Sequence, residues 1–231
     1  MLLQTDDELR GELVIGRALG PLLVAAVLAS CAASAPQPTA SAGPIRFAGP
    51  VKNLVLPVTE LPAGTRITTE GALTAQDLDD ALATADPGAL VALLDQHLFI
   101  AAYFRTFTVQ KAGGKTTDIE CIVLLFPDKA GPQAVVSGRG DAMLAFGYRP
   151  ISVRQTFGDS SRAMSIDGVI RDPSGAQISV TNVRVLYALA NVVVQISIQD
   201  DPKNVDPLDG VELASRELQY LRLSAPLAPP K

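Results

Sequence analysis

The sequence predicts an α+β fold, a largely antiparallel β-sheet of about six to seven strands packed with helices on one side. Three observations predict it: the hydrophobic period shortens from helical to strand-like near residue 100, a series of β-rich runs follows at turn-length spacing, and the chain closes on an amphipathic helical stripe.

Each element has its own signal. Thr74 followed by Asp77 is a helix N-cap with an acidic third residue, opening a helix to about Ala85. Asp86 and Pro87 supply a second N-cap and first helical position, for a helix through His97 with Leu90, Leu93, Leu94 and His97 on one face. Ile100–Val109 and Thr117–Phe126, joined through Gly113-Gly114, predict an antiparallel hairpin. Asp128–Ala145 predicts a helix in part, broken by Pro132 and by the stretch Gly138–Gly140. Four strands follow, Tyr148–Phe157, Arg162–Arg171, Gln177–Leu189 and Val192–Gln199, separated by Gly158-Asp159, Asp172-Pro173-Ser174-Gly175 and Ala190-Asn191. The last helix, Pro207–Leu223, directs Leu208, Val211, Leu218 and Leu221 to a core and leaves Glu212, Arg216 and Glu217 in water.

A hydrophobic content of 48% with 19% charge excludes a chain disordered throughout and allows one domain with a sizeable core. The net charge of -5 carries no basic block, so nucleic acid is not an expected partner. Trp is absent and aromatic content is 5%, which argues against sites that stack sugars or bases on indole rings.

The strongest local signal lies at the N-terminus. Arg17 precedes an apolar stretch from Ala18 to Leu28, the h-region of a signal peptide, which ends in Leu28-Ala29-Ser30-Cys31. Uncharged residues continue to Ala35, but the second half of that run is too small and polar for a membrane-spanning helix. Asp6, Asp7, Glu8 and Glu12 make an acidic preface foreign to a positive n-region, so translation is expected to begin near Val14. The expected organisation is a signal peptide over 1–30, a lipidated cysteine and flexible tether over 31–45, one domain over 46–223 and a disordered tail over 224–231.

Leu28-Ala29-Ser30-Cys31 resembles the lipobox of bacterial lipoproteins. The resemblance implies recognition of Leu28, Ala29 and Ser30 by the lipoprotein signal peptidase, cleavage after Ser30 and a diacylglycerol thioether on Cys31, enough acyl chain for stable anchoring. The order helix, hairpin, helix, four-strand meander and helix is similar to the PsbP-like fold. Leu61-Pro62-Ala63-Gly64 ahead of Tyr103-Phe104-Arg105-Thr106-Phe107 resembles uncharacterised secreted lipoprotein domains of actinobacteria and chloroflexi, a family that implies no reaction.

Residues that tempt a catalytic reading have plainer explanations. His97 is the single histidine, which rules out a site built on several imidazoles, and it suits a helix C-terminus. Ser160 and Ser161 read as turn residues after Gly158-Asp159. Asp200, Asp201, Asp206 and Asp209 do not follow the calcium-loop spacing and read as a loop and helix N-terminus. Arg139-Gly140-Asp141 spells the integrin-binding tripeptide, in an expected surface loop. Cys121, within an apolar run, reads as an inert core thiol. No catalytic residue, metal or cofactor is expected.

The expected function is a membrane-anchored extracytoplasmic lipoprotein, attached through its lipid, with a non-catalytic domain that binds a small molecule, a lipid or an envelope protein. The alternatives are an extracytoplasmic hydrolase using paired carboxylates and a structural accessory subunit of an envelope complex. An internal lipid requires a continuous apolar cavity of several hundred Å³, the usual ligand scale; hydrolysis requires two carboxyl groups about 5 to 9.5 Å apart in a cleft.

Overall fold

The computed structural model describes residues 46–81, 88–111, 116–171, 176–225 and 227. The expected lipobox, Leu28 to Cys31, and the expected signals at Asp86-Pro87, Gly113-Gly114 and Asp172 to Gly175 lie outside them.

The strands are β1 (Thr65–Leu73), β2 (Ala101–Gln110), β3 (Thr116–Leu125), β4 (Arg149–Pro150), β5 (Ser160–Arg171), β6 (Gln177–Leu189) and β7 (Val192–Asp200). They form one seven-stranded antiparallel sheet in the order β1-β2-β3-β7-β6-β5-β4. The helices are α1 (Ala75–Ala81), α2 (Ala89–Gln96), α3 (Ala130–Phe146) and α4 (Pro207–Leu223). The α+β class and the antiparallel sheet are therefore as the sequence predicts.

Helix placement differs from expectation. The sheet is covered on both faces, because strand alternation is apolar on both sides at its centre. Cys121 and Val123 of β3 with Val183, Val185 and Tyr187 of β6 pack against α4 and against the short 3-10 turns Val51–Leu54 and Val58–Glu60. Ile122 and Leu124, with Leu186, Ala188 and Val193, pack against α1, α2 and α3. A single-sided arrangement would leave one of these two apolar rows in water.

Two local expectations are also corrected, and one strand is added. α3 runs unbroken through Pro132 and the glycines. Pro132 stands in the first turn, where its missing N–H has no intrahelical acceptor, and Gly131 and Gly140 let the helix approach the Phe126 ring and the Arg162 stem. Tyr148–Phe157 is extended only at β4, since Pro150 cannot donate to a ladder and the chain turns away after Ile151 donates to Ala163 O at 2.8 Å. β1 is an edge strand whose TRITTEGAL sequence has almost no apolar alternation; its backbone pairing with β2 defines it. Past α4, Leu227 bridges to Phe47.

The caps behave as their residues dictate. Asp77 donates its N–H to Thr74 Oγ1 at 3.1 Å, while Asp77 Oδ2 accepts from the Thr74 hydroxyl at 2.6 Å and from Thr74 N at 2.8 Å, and the hydroxyl bond first, then the backbone one, hold the Asp77 carboxyl below its ordinary value. α2 opens at Gly88, and His97 caps its C-terminal end. Asp206 and Asp209 form a reciprocal capping box at α4, with Pro207 at the first helical position.

Asn191, buried in the β6–β7 turn, ties three segments together. Its Oδ1 accepts from Phe47 N at 2.8 Å, while its Nδ2 donates to Phe47 O at 3.2 Å and Phe126 O at 2.9 Å. Asn191→Ala strands these buried backbone groups and is expected to destabilise by about 2 kcal/mol. Urea unfolding measures it; a midpoint equal to that of the unmodified chain would show that water replaces the amide.

Candidate functional site

Helices α1 to α3 cover one end of their face of the sheet, over Ala102, Leu124, Val193 and Ala188. Toward the other end the rows turn polar. Across the strands Thr106, Glu120, Ser197 and Arg184 stand side by side, and beside them Thr108, Asp118, Gln199 and Asn182. Neighbours within such a row stand about 5 Å apart, so Ser197 is flanked directly by Glu120 and Arg184.

Arg139 closes this polar shelf from α3. It is 5% exposed, donates from Nε to Gln195 Oε1 at 3.2 Å, and has no partner for Nη2 among the described residues. Gln195 Nε2 lies 3.4 Å from Ser197 Oγ, which links the α3 guanidinium to the centre of the row. Arg184 donates from Nε to Asn182 Oδ1 at 3.0 Å and lies over the Tyr148 ring, 5.5 Å from its centroid, while Tyr148 OH donates to the same Asn182 oxygen at 3.1 Å. Neither arginine forms a salt bridge among the described residues.

The electrostatics follow from this crowding. Burial, and then the charge of Arg184, bring the Arg139 guanidinium down to about 9, against the opposing pull of Tyr148, Glu120 and Asp79. Burial raises the Glu120 carboxyl above its ordinary value although both arginines act to lower it. The Arg139-Gly140-Asp141 reading is corrected by the same facts: the tripeptide is helical and its arginine is buried, so it is not a loop epitope.

The opposite face holds a groove of about 210 Å³ beside α4. Val109, Ile119, Ile198 and Leu213 make its apolar walls, and Lys111, Arg216, Asp209 and Glu212 its charged rim. Lys111 Nζ donates to Asn204 O at 2.9 Å, and Arg216 donates to Glu212 Oε1 at 2.6 Å and Glu60 O at 3.0 Å. Burial opposes ionisation of Asp200, but hydrogen bonds from Thr117, Asp201 N and Asn204, with the Lys111 charge, hold its carboxyl below the usual value. The acidic run Asp200–Asp209 is thus consumed by loop bonds and the α4 cap, as its composition predicts.

Beneath α4 lies a residue expected in water. Glu217 is 0% exposed, and neither carboxyl oxygen has a hydrogen-bond partner among the described residues. Burial pushes its carboxyl well above the ordinary range, with the Arg105 charge only partly opposing. Arg105 is held elsewhere, donating from Nε to Glu70 Oε2 at 2.7 Å and from Nη1 to Leu56 O at 3.1 Å. The Tyr187 hydroxyl, also unpartnered, and the buried Cys121 thiol share the region, and burial raises both groups above their ordinary values. Leu208, expected in the core, is exposed.

The remaining candidates are placed as follows. His97 is half-buried at the end of α2. Ser160 and Ser161 are the first residues of β5 and not a turn; Ser161 Oγ accepts from Phe157 N at 3.3 Å, and Asp159 Oδ2 accepts from Ala190 N at 2.8 Å. Tyr103, Arg105 and Phe107 alternate onto the α4 face, where Arg105 latches the 55–56 backbone, and Thr65 caps the Leu61–Gly64 turn by bonding Pro62 O. Among the described residues no group of three His, Cys, Asp or Glu is placed to hold a metal ion, and no helix is long and apolar enough to cross a membrane. The cavity between α1–α3 and the sheet holds about 10 Å³, room for one water and not for an acyl chain. Glu120 and Glu217, the carboxyls displaced upward, lie on opposite faces of the sheet and cannot act as an acid–base pair.

No family model matches the chain, and no curated protein matches it. Among solved structures, the extracellular domain of PknH from Mycobacterium tuberculosis resembles it with a TM-score of 0.47 at 12% identity, over 74% of this chain and 94% of that chain. The functional reading therefore rests on the residues themselves.

Proposed function

We propose that this chain is a lipid-anchored extracytoplasmic binding module, acylated at Cys31 after cleavage behind Ser30, which takes its ligand without catalysis in the groove beside α4. The observation that carries the binding role is the groove, whose apolar walls and charged rim suit a small amphipathic molecule. The anchor is supported by the apolar run into Leu28-Ala29-Ser30-Cys31. The non-catalytic reading is supported by the sheet that separates Glu120 from Glu217. The small size of the cavity between α1–α3 and the sheet, about 10 Å³, favours the open groove over a lipid site there.

Two measurements test the two halves. In a bacterium, the chain is expected to gain diacylglycerol mass on Cys31 and to enter the detergent phase, and Cys31→Ala to stay in the aqueous phase with its leader uncut; unchanged partitioning of Cys31→Ala refutes the anchor. The fluorescent amphiphile 1-anilinonaphthalene-8-sulfonate is expected to bind the folded protein at one saturable site. Val109→Arg, placing a charge on the groove wall, is expected to weaken that binding at least tenfold, and equal binding by the variant removes the groove from the proposal.

A further inference from the structure

We infer that the shelf around Ser197, on the sheet face opposite the groove, is an oxyanion site that takes a phosphate group between Arg139 and Arg184. Two guanidiniums reach the shelf from different elements: Arg139 from α3 is tied to Gln195, which neighbours Ser197 on β7, and Arg184 of β6 flanks Ser197 in the row; neither has a carboxylate within salt-bridge reach among the described residues. Guanidinium forks match phosphate oxygens in pairs, and bonds to a charged group are the strong ones, so an anion over Ser197 would supply what the protein leaves unmade.

The Nη2 atom of Arg139 is buried without a partner among the described residues, a costly state in the absence of an acceptor. The Arg139 backing is fixed, because its Nε is tied to Gln195 and Gln195 in turn reaches Ser197. Arg184, half-buried and steadied by Asn182 and the Tyr148 ring, is the side chain that meets solvent. A purely structural cluster would be expected to set a carboxylate directly against each guanidinium. Here Asp79 acts on Arg139 from α1 and Glu120 lies across Ser197, without a salt bridge to either guanidinium. The place of Glu120 in the row makes it a brake on anion binding, and that gives the site a signature of its own.

Phosphate can arrive as the free ion or on a lipid headgroup. The full chain in neutral detergent is titrated calorimetrically with inorganic phosphate at constant ionic strength against chloride, and separately with phosphatidic acid carried in the same micelles. Saturable one-site binding is expected, weakened at least tenfold by Arg184→Gln and severalfold by Ser197→Ala, and strengthened severalfold by Glu120→Gln. Response to phosphatidic acid alone assigns the headgroup, and response to both assigns the free ion's chemistry. If Arg184→Gln fails to fold, Ser197→Ala and Glu120→Gln still decide. Absence of saturable binding in both titrations, or affinities that these substitutions leave equal, overturns the inference. Val109→Arg in the groove is expected to leave phosphate binding unchanged, so this test fails or succeeds independently of the groove.

Discussion

Glu217→Leu makes the protein more stable and flattens the fall of its stability with rising pH. Removing a charged residue usually costs little or destabilises, so the sign is the informative part. In the fold this carboxyl is fully buried near Cys121 and Tyr187, and neither oxygen has a partner among the described residues. Burial raises its proton affinity well above that of an exposed glutamate. A carboxyl whose folded value is raised contributes most below its unfolded value, near 4.5. Stability is then lost as pH climbs toward the folded value, by about 1.4 kcal/mol per pH unit, because the unfolded chain releases the proton first. Leucine fills similar volume without a polar group to desolvate, and such replacements stabilise by about 1 to 3 kcal/mol. Asp77, Asp167 and Asp200, all held below 3.8, titrate with the opposite sign and finish below about pH 5. Glu120, also raised, adds a slope of the same sign as Glu217, so the decisive quantity is the difference between the two proteins. Urea unfolding of both from pH 5 upward measures it. Parallel pH profiles, or a variant less stable at every pH, would mean that Glu217 finds a partner in solution.

The fates of Glu217 and Arg139 show what the sequence reveals of the candidate sites. Glu217 lies four residues from Leu213 and from Leu221, and Arg139 four from Val135 and from Met143, so each charge sits within an apolar stripe of its helix. That spacing is the signal for a buried ionisable group, and an assignment of wet and dry positions by residue type alone passes over it. The α3 glycines have the same lesson. Propensity reads them as breaks, whereas packing uses their missing side chains to bring the helix against Phe126 and Arg162. Where local and tertiary preferences agree, as in the capped α4 or the β-branched runs of β6 and β7, element boundaries follow directly from the residues. β1 has no such agreement to offer, because an edge strand exposed along most of its length is specified by its neighbour's backbone. The groove and the shelf are assembled from strands distant in sequence, and only the register puts Glu120, Ser197 and Arg184 in one row.

Gly158→Ala is expected to destabilise by about 4 kcal/mol or more, lowering the melting temperature by about 10 °C for a domain of this size. Gly158 has φ +54°, where a side chain is strained, and a Cβ built there would stand 2.0 Å from Ala188 O and 2.9 Å from Ala188 C. Those obstacles are backbone atoms at the start of the β5–β6 ladder, so no rotamer change relieves the clash. Asp159 N donates to the same Ala188 oxygen at 2.7 Å, and Phe157 next door is fully buried with its ring 6.0 Å from that of Tyr187. Moving the chain to admit a methyl group therefore disturbs both the first rung of the ladder and a core aromatic pair. Gly168→Ala, within β5, is the control. Its φ lies outside the left-handed region and its Cβ would meet nothing within 4 Å, so it is expected to be neutral or to stabilise by up to about 1 kcal/mol through the unfolded chain. Thermal unfolding of the two variants side by side checks the pair: equal shifts would show that the chain tolerates a side chain at either position and that the close approach at Ala188 is not part of the fold.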